Sequence, residues 1–316
     1  MEAMQSGRIG TAVALILLSV FLLSGTDAIV KAVSVDFPLW QIYVARSLFA
    51  VPILIGLSAL SGVAQAAWIV QPWIVLRSVL LTSMWIAYYT ALPHMDLSIA
   101  ATALYTTPLF IAALSAGWGS EPVSRRTLLG IVFGFVGVLV ILRPTGVDFS
   151  FWTLLPILGA VFYAGAAVLT RTRCADESPI VLALSLHGCL LTAGVLGGLV
   201  ATLQPFGTPD PFLFGGWNSM EGADWLLMLG LGGVMVLVAI GVAKAYQSAP
   251  SSIVGTFDYA YLVFAALWGL LFFGERPDAF TLVGMALILA AGVLVVSRSE
   301  RRTRMAATSV HRPEAD

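Results

Sequence analysis

The sequence predicts an all-α integral membrane protein in which ten transmembrane helices form two inverted five-helix repeats around a central cavity. Three observations predict this fold class. Hydrophobic residues make up 59% of the 316 residues and charged residues only 10%, which is outside the usual composition of soluble globular domains. The apolar residues fall in segments of about 18 to 25, the length at which a helix crosses about 30 Å of hydrocarbon. The two halves of the chain also resemble each other.

Prolines and clusters of polar residues divide the chain into ten apolar segments, here called spans 1 to 10, because both features end helices. The dividing points are Asp36 to Pro38, Gln71-Pro72, Pro93-His94, Glu121-Pro122, Arg143-Pro144, Arg171 to Pro179, Gln204 to Asp224, Pro250 and Glu275 to Asp278. Residues 298–316 are charged and lack apolar periodicity. We therefore expect a disordered tail after span 10.

The internal repeat appears when Ala91–Leu142 is aligned with Ala245–Val296 without a gap. This alignment matches Ser98 with Ser252, Tyr105 with Tyr259, Glu121 with Glu275 and Gly130 with Gly284, and a different offset matches Pro38 and Arg46 with Pro179 and His187. Each repeat holds five helices, an odd number, so the second repeat enters the membrane from the opposite side. We predict one repeat at residues 1–148 and an inverted repeat at residues 149–297.

The distribution of basic residues predicts the orientation, because short cytoplasmic loops carry an excess of Lys and Arg. With the N-terminus inside, the basic residues that fall on the inner side are Arg8, Arg125, Arg126, Arg171, Arg173, Arg298, Arg301, Arg302, Arg304 and Arg312. The longest loop, residues 204–224, contains acids but no Lys or Arg, as expected of an outer loop. We expect both termini to be cytoplasmic and the protein to lie in the inner membrane.

Several motifs resemble those of the drug/metabolite transporter superfamily, and within it the ten-helix EamA-type branch. They are Thr26-Asp27-Ala28 with Lys31, Phe37-Pro38 with Arg46, Tyr105 to Pro108, Gly119 to Pro122 and Gly274-Glu275-Arg276-Pro277. The resemblance implies a central cavity between spans 1, 3, 4, 6, 8 and 9. It also implies transport of small solutes, which across the family include amino acids, vitamins, nucleotide-derived metabolites and drugs. The chain looks most like the branch with S-adenosylmethionine and riboflavin carriers and, more distantly, aromatic amino-acid exporters.

Span 9 carries the predicted ligand wall. Asp258, Tyr261, Ala265 and Trp268 follow spacings of three, four and three residues, which place an acid and two aromatics on one helix face. The other aromatic candidates are Tyr259 and its repeat partner Tyr105, Trp85, Tyr88 and Tyr89 of span 3, and Tyr163 of span 6. An acid among aromatics can bind a cationic or zwitterionic group or carry a coupling proton. The alternative for each aromatic is packing or a place at the membrane interface.

Four further ionisable residues lie within the spans, where a charge is costly without a partner. Asp27 and Lys31 are four residues apart on span 1 and can pair locally. Arg46 lies two turns into span 2 and is expected to contact Asp27 or a carbonyl. His187 of span 7 can titrate near neutral pH or serve in packing. For all four, a coupling role and a structural role stay open.

These features predict a secondary transporter that moves amino acids or related metabolites, cationic, zwitterionic or aromatic, by alternating access. The alternatives are a vitamin or nucleotide-derived metabolite carrier and a non-transporting membrane scaffold or receptor. No hydrolase elbow, zinc-protease motif or ATP-binding loop is present in the sequence, so we expect no enzyme, cofactor or metal. The expected partners are a small organic solute, the lipid bilayer and a coupling proton or exchanged solute, with no nucleic acid. We expect a monomer, with a dimer as the alternative.

Overall fold

The structure, a computed structural model, describes residues 2–62, 71–107, 110–111, 113–114, 129, 132–133, 135–137, 139–140, 150–174, 176–203, 210–248, 257, 260–287 and 289–290. These residues form helices and their connections, and no strand occurs among them. The helices are α1 (Glu2–Val33), α2 (Leu39–Leu60), α3 (Pro72–Ala91), α4 (Leu97–Leu104), α5 (Leu154–Arg173), α6 (Pro179–Leu203), α7 (Pro211–Phe214), α8 (Gly222–Ser248) and α9 (Ala260–Phe273). Residues 279–287 are also helical, and short 3-10 turns occupy Leu92–His94 and Phe151–Thr153.

Six helices of the described chain, α1, α2, α3, α5, α6 and α8, are long and apolar enough to cross a membrane. They correspond to spans 1, 2, 3, 6, 7 and 8, so the all-helical prediction is confirmed. The shorter helices α4 and α9 lie in spans 4 and 9, and most of span 5 lies outside the described residues. The predicted loop at residues 204–224 contains a helix, α7, because Pro211 begins it and the Asp210 carboxylate accepts a hydrogen bond from the Phe212 N–H.

Proline and glycine mark the helix ends, as the sequence predicts. Pro38 is extended before α2, and Pro72 is the first residue of α3, where its missing N–H costs nothing. Gly62 and Gly274 both have φ of +66°, in a region open mainly to glycine. Both follow a helix, and each lets the chain turn away sharply.

Polar residues point inward and apolar residues outward, which is the pattern expected of a protein in lipid. Asp27 and Arg46 are buried, with relative exposures of 1% and 0%. By contrast, large apolar side chains such as Leu196 and Leu226 are exposed. An outer surface of this kind would be unfavourable in water. The protein is therefore an integral membrane protein.

The helices pack in matched pairs. The main contacts are α1 on α8, α3 on α5, α2 on α6 and α4 on α9, together with α1 on α9, α4 on α5, α2 on α8 and α3 on α6. Exchanging span 1 with span 6, span 2 with span 7, span 3 with span 8 and span 4 with span 9 converts this set of contacts into itself. For example, the contact of α1 with α8 becomes the contact of α5 with α3. This set of contacts among the described helices is therefore symmetric under that exchange.

One end of the bundle collects the C-terminal ends of α1, α3 and α9 and the N-terminal ends of α2 and α8. We call it the Lys31 end. Trp40 donates a 2.7 Å hydrogen bond to the Leu213 carbonyl, and Gln41 and Asn218 are joined by two side chain to backbone hydrogen bonds. His94 lies 3.1 Å from the Asp210 carboxylate. These contacts tie the connections at this end to one another.

The opposite end of α3 is held by what we call the Arg77 cluster. Arg77 Nε donates to the Thr170 hydroxyl of α5 at 2.7 Å, and Arg77 Nη1 donates to the Leu182 carbonyl of α6 at 3.5 Å. One residue further, the hydroxyls of Ser78 and Ser185 are 2.9 Å apart. These polar contacts link α3, α5 and α6 within the apolar bundle.

Candidate functional site

The carboxylate of Asp27 lies inside the bundle and accepts two phenol hydrogen bonds. Tyr89 of α3 donates to Oδ1 at 3.0 Å, and Tyr261 of α9 donates to Oδ2 through a short hydrogen bond. The hydroxyl of Tyr88 is 2.9 Å from that of Tyr261. Tyr261 has one hydroxyl proton and gives it to Asp27, so Tyr88 is the donor to Tyr261. Helices α1, α3 and α9 therefore meet at one acid.

Arg46 of α2 extends this arrangement. Its Nη1 atom donates to the Tyr89 hydroxyl at 3.4 Å, and its guanidinium carbon lies 4.8 Å from the ring centre of Tyr43 and 5.5 Å from that of Tyr89. These distances are in the range of cation–π contacts. A single hydroxyl therefore separates the guanidinium from the Asp27 carboxylate. We call Asp27, Arg46, Tyr88, Tyr89 and Tyr261 the central network.

Further aromatic rings pack against the central network. The ring of Trp85 lies 5.0 Å from that of Tyr89 and 6.3 Å from that of Tyr88. Tyr105 stacks on Tyr261 with ring centres 4.8 Å apart and an angle of 18°. The repeat alignment pairs Tyr105 with Tyr259 instead. The site therefore combines two opposite charges with several rings, which suits a solute with polar and aromatic parts.

The predicted pairing of Asp27 with Lys31 is wrong. Lys31 forms an ion pair with Glu275, and its ammonium also donates to the Met95 carbonyl at 2.5 Å. The second oxygen of Glu275 accepts from the Leu97 N–H at the start of α4 at 2.8 Å. At the Lys31 end, the long Lys31 side chain reaches the full opposite charge of Glu275. Asp27 lies deeper in the bundle and accepts hydrogen bonds from phenols instead.

Five of the predicted site residues, Trp85, Tyr88, Tyr89, Tyr105 and Tyr261, lie together around Asp27. Trp268 lies elsewhere on α9: its indole N–H is 3.4 Å from the Phe21 carbonyl, and its ring packs against that of Phe21. Tyr163 is partly buried at the edge of the main core. Asp258 and Tyr259 lie outside the described residues.

His187 is buried on α6, with a relative exposure of 1%. The sequence alignment pairs it with Arg46, and the helices that carry the two residues, α6 and α2, pack against each other. Within the described structure, Arg46 donates to Tyr89 rather than to Asp27 or a carbonyl, and its link to Asp27 runs through the Tyr89 hydroxyl. Among the described residues, no group of three or more His, Cys, Asp or Glu side chains is arranged to hold a metal ion.

Sequence reasoning missed three residues near the site. Tyr43 and Ser47 are fully buried beside Arg46, three residues before it and one after it on α2. The spacing of three residues places Tyr43 on the helix face of Arg46 and could have marked it, whereas Ser47 directly follows Arg46 and has no such signal. From the sequence, Glu275 is identified as the end of a span, a repeat landmark and part of a family motif. Its role as the partner of Lys31 required knowledge of how α1 and α9 pack.

Known proteins resemble this chain over most of its length. The model of a family described as EamA-like transporter family matches residues 10–143 and 150–297. The pseudopaline exporter CntI of Pseudomonas aeruginosa is 27% identical over 290 residues, covering 92% of this chain and 96% of that protein. A riboflavin transporter of Rhizobium johnstonii is 29% identical over 272 residues, covering 84% and 82%.

The fold also resembles a solved one. A crystal structure that is 22% identical in sequence matches 92% of this chain and 98% of its own, with a TM-score of 0.61. The family match spans nearly the whole chain, the relatives are named transporters, and the helices are those of a membrane protein. The chain therefore belongs to the EamA-like transporter family, within the drug/metabolite transporter superfamily.

Proposed function

We propose that this protein is a secondary transporter that moves a small organic solute across the inner membrane by alternating access, with the central network as part of its solute site. The observation that carries the proposal is the buried Asp27 carboxylate, held by Tyr89 and Tyr261 from two other helices. An ionisable group inside a membrane bundle is costly, and such groups commonly mark solute or ion pathways. The site joins α1 and α3 of the first half to α9 of the second.

The proposed architecture is two inverted repeats, residues 1–148 and 149–297, with ten spans in all. Two observations support it. The helix contacts are interchanged when spans 1 to 4 are exchanged with spans 6 to 9, and the family model matches the chain as two separate ranges. We propose that the Lys31 end faces outward and that both termini and the tail, residues 298–316, are cytoplasmic, because most arginines then lie inside.

The proposed solutes are amino acids or related metabolites with an aromatic or heterocyclic part and a positive or zwitterionic charge. Asp27 supplies an acceptor for an ammonium group, and the phenols and Trp85 supply faces for stacking and cation–π contact. Asp258, Tyr259, Trp268 and Tyr163 remain proposed contributors to the cavity wall. Lys31 and His187 are proposed to act in coupling or structure.

The test is solute counterflow with the purified full-length protein in proteoliposomes, scanned over amino acids and riboflavin. We expect at least one solute to accumulate, and Asp27→Asn to slow its uptake by about tenfold or more, because the amide removes a charge from the site. Asp36→Asn is the matched control, since Asp36 is exposed in the connection after α1. Equal uptake by wild type and Asp27→Asn would remove Asp27 from the solute site.

A vitamin carrier is the second candidate, favoured by the stacked pair Tyr105 and Tyr261 and by the riboflavin transporter among the relatives. Uptake of riboflavin that exceeds uptake of every amino acid would select this candidate. The energy source is tested in the same vesicles. A coupled proton predicts uptake driven by an imposed pH gradient, whereas exchange predicts uptake only when solute is loaded on the other side.

A further inference from the structure

The edge of the Arg46 guanidinium that faces away from Tyr89 is unused. In the described part of the chain, Arg46 Nε and Nη2 have no hydrogen-bond partner, although Arg46 has 0% exposure. These two nitrogens form one side of the planar group, and their N–H bonds run nearly parallel. A buried charge with two free donors is unfavourable. The described structure therefore holds a strong donor pair that has no protein partner.

Neighbouring polar groups share this condition. The hydroxyls of Tyr43 and Ser47 and the Nδ1 atom of His187 also lack partners among the described residues, and all three side chains are at least 98% buried. Tyr43 packs against the guanidinium, Ser47 follows Arg46 in the chain, and His187 lies on α6, which packs against α2. Unpartnered polar atoms are uncommon in protein interiors. Four such residues on the adjacent helices α2 and α6 indicate a site for a polar group.

We propose that Arg46, with Tyr43, Ser47 and His187 around it, binds a carboxylate of the transported solute. This inference rests on the proposed transport function. A carboxylate matches the Nε and Nη2 edge because its two oxygens accept two parallel hydrogen bonds, the strongest arrangement that arginine offers. Hydroxyls of Tyr43 and Ser47 can donate to the same oxygens.

The other contacts of Arg46 do not use its Nε and Nη2 edge. The Nη1 contact to Tyr89 is long, at 3.4 Å, and the rings of Tyr43 and Tyr89 stabilise the charge only through its face. Asp27 is one hydroxyl away and would bind an ammonium. The two charges together match the two ends of an amino acid. Full burial agrees with this role, because an alternating-access carrier seals its site from both sides during part of its cycle.

The first test is ligand-dependent thermal stabilisation of the detergent-purified full-length protein. The probes are matched pairs that differ by one carboxylate: L-tryptophan and tryptamine, L-phenylalanine and phenethylamine, L-arginine and agmatine, L-lysine and cadaverine. We expect the acid of at least one pair to raise the melting temperature and its amine to bind at least about tenfold more weakly. The proposal is overturned if no acid stabilises the protein, or if acid and amine bind equally in every pair.

The second test uses Arg46→Lys, which keeps the positive charge and loses the two-donor edge. We expect this variant to bind the stabilising acid about tenfold more weakly and to bind the matched amine with unchanged affinity. Arg77→Lys is the matched control, because both nitrogens that Arg77 uses already have protein partners. Equal acid affinity for wild type and Arg46→Lys overturns the proposal. If Arg46→Lys fails to fold, Ser47→Ala replaces it, with weaker acid binding as the expected result and unchanged binding as the contrary one.

Proteoliposome counterflow separates this inference from the proposed function. Uptake of riboflavin or an amine, with no effect of Arg46→Lys and no binding of acids, would leave transport in place and overturn the carboxylate site. Arg46-dependent binding of an amino acid without uptake would support the carboxylate site and contradict transport.

Discussion

The central network and the Arg77 cluster each contain an arginine inside the bundle, and they differ in how its donors are used. Arg77 donates from Nε and Nη1 to groups on two neighbouring helices. Arg46 donates from Nη1 and leaves Nε and Nη2 free within the described structure. Protein partners for both donors indicate a structural arginine. An unused edge at full burial indicates that something outside the protein binds there.

Replacing each arginine by methionine gives the largest expected contrast. Arg77→Met removes two hydrogen bonds from a charged group and should lower the free energy of unfolding by about 2 to 3 kcal/mol. Arg46→Met should lower it less, because it removes one long hydrogen bond and two contacts with aromatic rings. Thermal unfolding in detergent without ligand measures both. A larger loss at Arg46 than at Arg77 would mean that Arg46 is structural.

We expect the second largest effect from a change in the spacing between α2 and α6. A Cβ atom added at Gly197 would lie 2.3 Å from the ring of Trp40 on α2, so Gly197→Ala must displace this ring or push the two helices apart. We expect it to lower stability by about 1 to 3 kcal/mol and to weaken solute binding beside Arg46. Gly188→Ala is the control on the same helix, because nothing lies within 4 Å of its added Cβ. Equal effects of the two changes would show that the close contact is unimportant.

The ion pair of Lys31 with Glu275 is a second place, after the Arg77 cluster, where a charged side chain has a protein partner. We expect a double-mutant cycle of Lys31→Met and Glu275→Gln to give a coupling energy of about 1 to 2 kcal/mol, because the pair is mostly shielded from water. Lys244→Met is the control, since Lys244 is exposed. Unfolding measurements on the single and double variants provide the cycle. A coupling near zero would place this pair among weak surface contacts.

Removing single hydroxyls should have the smallest effects and separate direct from indirect contacts to Asp27. Tyr261→Phe removes a donor to the carboxylate and should cost about 1 kcal/mol, or about fivefold in solute affinity. Tyr88→Phe removes only the bond to Tyr261 and should cost less. Both are measured by solute-dependent stabilisation. A larger effect at Tyr88 would contradict the hydrogen-bond order in which Tyr88 donates to Tyr261 and Tyr261 donates to Asp27.

The candidate site was only partly predictable from the sequence. Asp27, Arg46, Tyr88 and Tyr89 could be selected because polar and aromatic side chains are conspicuous within apolar spans. Their interaction partners could not be selected from the sequence. Helical spacing places Asp27 and Lys31 on the same face, but Lys31 pairs with Glu275, which is 244 residues away. A partner so distant in the chain becomes visible only when α1 and α9 are packed together.

The sequence alone determined the membrane class, most helix boundaries, the internal repeat and the resemblance to the transporter family that the family match confirmed. These features depend on hydropathy, turn residues and order along the chain, which act locally. Only the tertiary structure decided which charges meet, that Tyr105 stacks on Tyr261 and that one edge of Arg46 stays unpaired within the described residues. Those outcomes depend on how each helix is rotated against its neighbours, and side-chain packing across the whole bundle sets that rotation.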